Sequence, residues 1–111
     1  MKTQETYTWS NWSGFQQAHP QHILHPDNVL ELQHIVQSHP KIRVVGAGHS
    51  FTPLVCTDAT LVSLNQISGV ASSDTAHCRC SIYAGTRLYN LDQYLEPINQ
   101  ALMNQGDIDQ Q

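Results

Sequence analysis

Positive charge is scarce in this chain. Five Lys and Arg stand against nine Asp and Glu, a net charge of -4, and the basic residues nowhere cluster. Binding a nucleic-acid backbone needs such a cluster, so that function class is excluded. Long apolar runs are missing too. The first twenty residues hold Trp9, Trp12 and many polar groups but no stretch of signal-peptide type, and no later segment is long enough to span a bilayer. The expected compartment is therefore cytoplasmic. Cys56, Cys78 and Cys80 make an odd count, which does not suit a disulfide framework. No internal repeat, low-complexity tract or linker breaks the chain.

What is present suits one small domain. With 111 residues, 40% of them hydrophobic, the chain is long and apolar enough to bury a core. Residues 22–26, "HILHP", read as a short strand that Pro26 ends. Asp27 fits a helix N-cap. Val29, Leu32, Ile35 and Val36 fall on one arc at 100° per residue, which predicts a helix over 28–38 with Leu30 outside the stripe and Pro40 as the stop. "IRVVG" (42–46) is a second strand, β-branched and apolar. Strand, helix, strand is a βαβ unit, whose right-handed crossover makes the two strands parallel. "LVSLN" (61–65) is a third candidate strand. Residues 69–73 and 78–85 read as a pair joined by a polar turn at 74–77. Thr86 is positioned to cap a second helix with Leu88, Leu91 and Leu95 as its stripe, limited by Pro97. Residues 1–20 lack periodicity; "WSNWSGF" reads as an irregular segment that lays Trp9, Trp12 and Phe15 on a surface. The fold class expected is α+β, a small, mostly parallel sheet with flanking helices.

The chemistry concentrates in "RVVGAGHSF", residues 43–51. A strand that ends in Gly-x-Gly resembles the opening of a dinucleotide-binding loop, but that loop needs a third glycine and an immediate helix. Here the third position is Phe51, and Pro53 follows. Two readings remain open on spacing alone. In one, Gly46 and Gly48 allow positive φ and close approach of a ligand, the backbone N–H groups form an anion nest, Ser50 and Thr52 add hydroxyls, and His49 projects beside the ligand. In the other, the stretch is a turn after a strand.

The remaining candidates read as structural. His19, His22 and His25 are three apart, but Pro20 and Pro26 bracket a strand, on which residues three apart face opposite ways, so no metal site is expected. His34 and His39 fall on the polar side and end of the first helix. Cys78 and Cys80 would share a strand face as small buried groups. Asp58 is expected to brace its loop. No side chain is assigned as catalytic.

Five stretches in order carry a resemblance to a known family: "WSNWSG", "HPDNVLELQHIV", "VVGAGHSFTPL" with "TDATLVSLNQISGV", "YAGTRLYNLDQYL" and "NQGDID". Together they resemble the FAD-linked oxidases of the vanillyl-alcohol-oxidase type, in the branch of sugar-1,4-lactone oxidases and alditol oxidases. The resemblance implies that residues Val45, Gly46, Ala47, Gly48, His49, Ser50 and Phe51 hold FAD, with the loop around its pyrophosphate. His49 would be the residue bonded covalently to the flavin. It also implies that residues 1–111 are the N-terminal lobe of a two-lobed FAD-binding domain, with the second lobe and the substrate domain absent. The parent would oxidise an alcohol of a sugar-derived lactone or polyol, and the lobe alone would be inactive and prone to self-associate. The alternative is a small stand-alone α+β binding protein without flavin.

Overall fold

A computed structural model describes residues 8–49 and 52–102. Its elements in chain order are β1 (Trp9–Ser10), β2 (Gln17–Ala18), β3 (His22–Leu24), α1 (Val29–Ser38), β4 (Ile42–Val45), β5 (Thr60–Ser63), β6 (Val70–Asp74), β7 (Arg79–Ile82) and α2 (Leu88–Leu95). A 3-10 turn (Thr75–His77) joins β6 to β7, and another (Glu96–Ile98) follows α2. Mixed helices and strands around a parallel sheet make this an α+β lobe, as the pattern predicts.

The strand–helix–strand unit forms, but its two strands are not neighbours. The sheet runs β3-β5-β4, all parallel, so the later strand β5 is inserted between them. Composition accounts for the choice of centre. A strand paired on both edges needs a sequence that tolerates complete burial, and Thr60, Leu61, Val62 and Ser63 are all buried. In β4, by contrast, Arg43 and Val44 remain exposed. Register places His22 and Ile42 on either side of Thr60, and Val44 opposite Val62.

Helix α1 covers this sheet. Ile35, Leu24 and Val62 form the centre of the core, and Leu32, Ile42 and Leu64 pack around them. Only part of the predicted stripe is used: Val29 and Val36 stay exposed, as does Leu30. The helix starts one residue later than the Asp27 cap implies. Asn28 is the N-cap, its Oδ1 accepting from the Glu31 backbone N–H at 2.9 Å, while Glu31 Oε2 accepts from Asp27 N–H at 2.7 Å. Asn28 thus caps the free Glu31 N–H while the Glu31 carboxylate reaches back to Asp27 N–H, one residue before the cap, and the two bonds together favour this frame.

The second ribbon, β6 with β7, is antiparallel, with a bulge between Val70 and Ser72. Asp74 closes its polar turn, accepting from the His77 backbone and pairing with His77 Nδ1 at 2.8 Å. Cys78 and Cys80 depart from the expectation of burial. Cys78 lies just before β7 at φ 53 and is exposed, and Cys80 is half-buried. Thr86 is not the cap of α2 either. Arg87 holds that position without a side-chain bond. The Thr86 hydroxyl instead accepts from Gly69 N–H at 2.9 Å and donates to Tyr83 C=O at 2.7 Å, which ties the two ends of the ribbon together. Leu91 and Leu95 of α2 are buried, and Leu88 is half-buried.

The N-terminal segment is more ordered than its lack of periodicity suggests. β1 and β2 form a short antiparallel hairpin, with Trp9 opposite Ala18. Trp12 and Phe15 sit in its turn and are exposed, so the aromatics do lie on a surface.

Candidate functional site

The loop after β4 is built on the parallel sheet. Val45 is buried and accepts from Leu64 N–H at 3.4 Å, which anchors the strand end. Gly46 follows and is exposed. Its φ is not positive, and a Cβ there would meet only open space. Gly46 therefore does not use the conformational freedom that the nest reading draws on. Gly48 does use it: its φ is +76, and a Cβ would stand 3.3 Å from the Trp9 ring and 3.9 Å from the Asn11 and Trp12 backbones. A non-glycine residue here would be strained and crowded at once. Ala47, Gly48 and His49 are half-buried. Ser50 and Phe51 lie outside the described residues, as does the "NQGDID" stretch.

The hairpin is what the loop rests on. Trp12 N–H donates to Gly48 C=O at 2.6 Å. The Trp12 indole stacks on the His49 imidazole, ring centroids 4.8 Å apart and planes 12° from parallel. That separation is at the close end of the range for offset aromatic pairs. Asn11 shapes the turn that presents Trp12. It is buried, its Oδ1 accepts from Gln16 N–H and from the Ser13 hydroxyl, both at 3.1 Å, and its backbone N–H reaches Gln16 C=O at 2.9 Å. Spacing alone does not reveal Asn11 as part of the site. Its available signal is the turn chemistry of Asn-x-Ser-Gly, where an Asn side chain bonds the backbone ahead of it.

Among the described residues His49 Nδ1, like His22 Nδ1, is buried without a hydrogen-bond partner. A buried polar nitrogen left unpaired costs about 1–3 kcal/mol, so the site needs a partner that the described residues do not supply. An orphaned imidazole nitrogen beside a glycine at positive φ is a fit for a ligand that approaches the backbone closely and engages the ring.

Elsewhere the candidates behave structurally. Asp58 pairs with Lys41 Nζ at 3.0 Å, and this ammonium holds its carboxyl below the ordinary value. The pair braces the approach to β5 against the approach to β4; being exposed at both ends, it adds little stability. His39 Nδ1 lies 3.0 Å from Ile35 C=O at the end of α1, and His34 is exposed. Among the described residues no three His, Cys, Asp or Glu side chains gather in a way that could hold a metal. No described helix is long and apolar enough to cross a membrane. A cleft of about 400 Å³ lies between β7 and α2, lined by Cys80, Ile82, Leu91 and Leu95 among others, and no residue of the 45–49 loop lines it.

Comparison with known proteins decides the family. Residues 20–111 match the model of the FAD binding domain. The chain belongs to the FAD-binding domain family. Its cofactor is FAD, as the resemblance implied. The chain is 34% identical over 107 residues to an L-gulono-1,4-lactone dehydrogenase of Mycobacterium tuberculosis, covering 93% of this chain and 25% of that protein. It is 30% identical over 106 residues to the L-gulonolactone oxidase of Scyliorhinus torazame, covering 92% and 24%. A D-arabinono-1,4-lactone oxidase of Saccharomyces cerevisiae is 28% identical over 115 residues, covering 96% and 22%. This FAD-binding domain chain thus spans about a quarter of the length of the curated relatives that it matches.

Proposed function

We propose that residues 45–51 form the pyrophosphate-facing loop of a flavin site and that His49 is the point of covalent attachment. The observation that carries this reading is the buried Nδ1 of His49, unpartnered among the described residues, on a loop whose Gly48 takes φ +76 and leaves a side chain there strained and crowded. Val45 fixes the loop to the sheet, Ala47 and Gly48 bring backbone close to the ligand, and His49 supplies a ring nitrogen. Imidazole is suited to this because its neutral form carries a free ring lone pair that can form the bond. When bound, the flavin accepts the hydride of an alcohol; the side chains of this lobe only hold and orient it. The relatives' names support a sugar lactone as substrate of the whole protein and an oxidoreductase acting on it; a polyol in its place, and a CH–OH group as the site of oxidation, are part of this proposal. Residues 1–111 would be one wall of a two-lobed site, completed by a second lobe and a substrate domain.

The loop is tested by Gly48→Val in the complete two-lobed protein. A Cβ at positive φ costs on the order of 1 kcal/mol or more, and here it also pushes on the Trp9 ring. Flavin content is expected to fall sharply while the circular dichroism spectrum stays native. Normal flavin content in that variant would count against close approach of the pyrophosphate.

The one-wall reading has its own test. A complete site that binds FAD with a dissociation constant of ~1 nM gains about -12 kcal/mol. Half of that leaves roughly -6 kcal/mol, a dissociation constant in the tens of micromolar, and ordering the ligand costs about as much with half the contacts. The 111-residue chain alone is therefore expected to purify colourless and without oxidase turnover. Leu30, Val36, Ile82, Tyr89 and Tyr94 are exposed, so self-association is expected as well. Absorbance in the flavin band and mass by light scattering check both parts; a yellow, monomeric chain contradicts them.

A further inference from the structure

His49 has no hydrogen bond to orient its ring among the described residues, and Nδ1 is closed off from water without a partner. An imidazole so placed turns about its Cβ–Cγ bond unless something holds its plane, and turning the plane swings its ring nitrogens away from the direction of a ligand. The contact that holds it is Trp12, stacked at 4.8 Å and within 12° of parallel. Burial does not explain the indole, which is left 57% exposed at the tip of a hairpin. Trp12 also holds the preceding residue, through its N–H to Gly48 C=O at 2.6 Å. One residue thus grips two consecutive residues of the loop, one by backbone and one by ring, while Trp9 closes the space at Gly48.

We propose that Trp12 is a positioning residue for His49: its indole holds the imidazole plane in the orientation from which a ring nitrogen reaches a methyl carbon of the flavin. The C–N bond would form as that methyl group gives up one C–H proton and the imidazole its N–H proton, with the two electrons left on the flavin and taken from it by dioxygen. This rests on the reading of His49 as the attachment residue. Trp12 takes no part in the bond. It narrows the orientations of the ring before FAD arrives, which is the contribution expected of a preorganising contact. A parallel stack suits this task because it resists rotation of the ring plane, whereas a single hydrogen bond leaves the ring free to tilt about it.

The test uses Trp12→Ala, Trp12→Phe and Trp12→Leu, with His49→Ala as reference. In the apo chain, the His49 ring protons should resonate upfield in the native protein and in Trp12→Phe, and move downfield in Trp12→Ala and Trp12→Leu. In the complete protein mixed with FAD, the flavin that stays with the polypeptide after acid denaturation is followed over time. Attachment should slow about threefold to tenfold in Trp12→Ala, the range that losing one aromatic pair corresponds to. Trp12→Phe should restore the rate, because it keeps an aromatic face. Trp12→Leu keeps apolar bulk without that face, and should be as slow as Trp12→Ala; it decides the matter if the alanine variant loses its native fold. Attachment at the native rate in Trp12→Leu overturns the clamp while leaving His49 in its role. Flavin that survives denaturation in His49→Ala overturns the attachment reading itself, and the clamp with it.

Discussion

Gly85→Ala is expected to cost this lobe its cooperative fold. Gly85 is buried between β7 and α2, and its N–H donates to Ile67 C=O at 3.0 Å. A Cβ built on it would stand 1.7 Å from the Leu64 carbonyl oxygen and 2.5 Å from that of Ile67. Both obstacles are backbone, so no side-chain rotation relieves them. Leu64 packs on the core and donates its own N–H to Val45 C=O, so displacing it reaches the end of β4 from which the candidate loop springs. Forced overpacking against backbone costs about 3 kcal/mol or more, a large share of the roughly 5–15 kcal/mol that holds a domain folded. The thermal midpoint should fall by about 10–25 °C, or the transition should vanish. Gly46→Ala is the control: it meets open space at ordinary φ and should change stability by no more than about 0.5 kcal/mol. A Gly85→Ala chain that melts within a few degrees of the native one would show that the close approach of β7 to the loop after β5 is not part of the fold.

His49→Ala is expected to convert tightly retained flavin into flavin that leaves on denaturation. In the complete protein, the native chain should carry its yellow colour and flavin fluorescence through a denaturing gel, and the variant should carry none. The fold should survive, since His49 is only half-buried and its ring carries a buried nitrogen that no described residue pairs. The variant separates two contributions. If FAD still co-purifies non-covalently, the Gly48 loop binds and His49 tethers; if it does not, the tether is needed for retention. Flavin bound through denaturation in His49→Ala assigns attachment to another residue.

Much of the lobe was legible before any coordinates. The helix over 28–38, the strands at 22–26, 42–46 and 61–65, and the ribbon at 69–85 all appear, because each follows from local periodicity bounded by Pro, Gly or a cap. Errors cluster where several residues can do the same local job. Asp27 and Asn28 both suit an N-cap, and the pairing of Asn28 with Glu31 settled it. Thr86 is a sound cap by type, but its hydroxyl had a better use across the ribbon, to Gly69 and Tyr83. Cys78 took a left-handed conformation at the end of a 3-10 turn, which lifted it off the strand face that it was expected to share with Cys80.

By itself the sequence determined the order of the elements, the α+β class, the family and its flavin, because these depend on residue types at short spacing and on five motifs in series. The tertiary structure alone decided three further things. It placed β5 between β3 and β4, a choice that depends on which strand can be buried on both edges. It made Gly85 rather than Gly46 the glycine that the fold cannot spare, because the obstacle is the backbone of Leu64, twenty-one residues away in sequence. It set Trp12 on His49, thirty-seven residues apart, by folding a hairpin back over the loop. Contacts of that separation arise only when the sheet has brought distant segments together, and no local spacing rule encodes them.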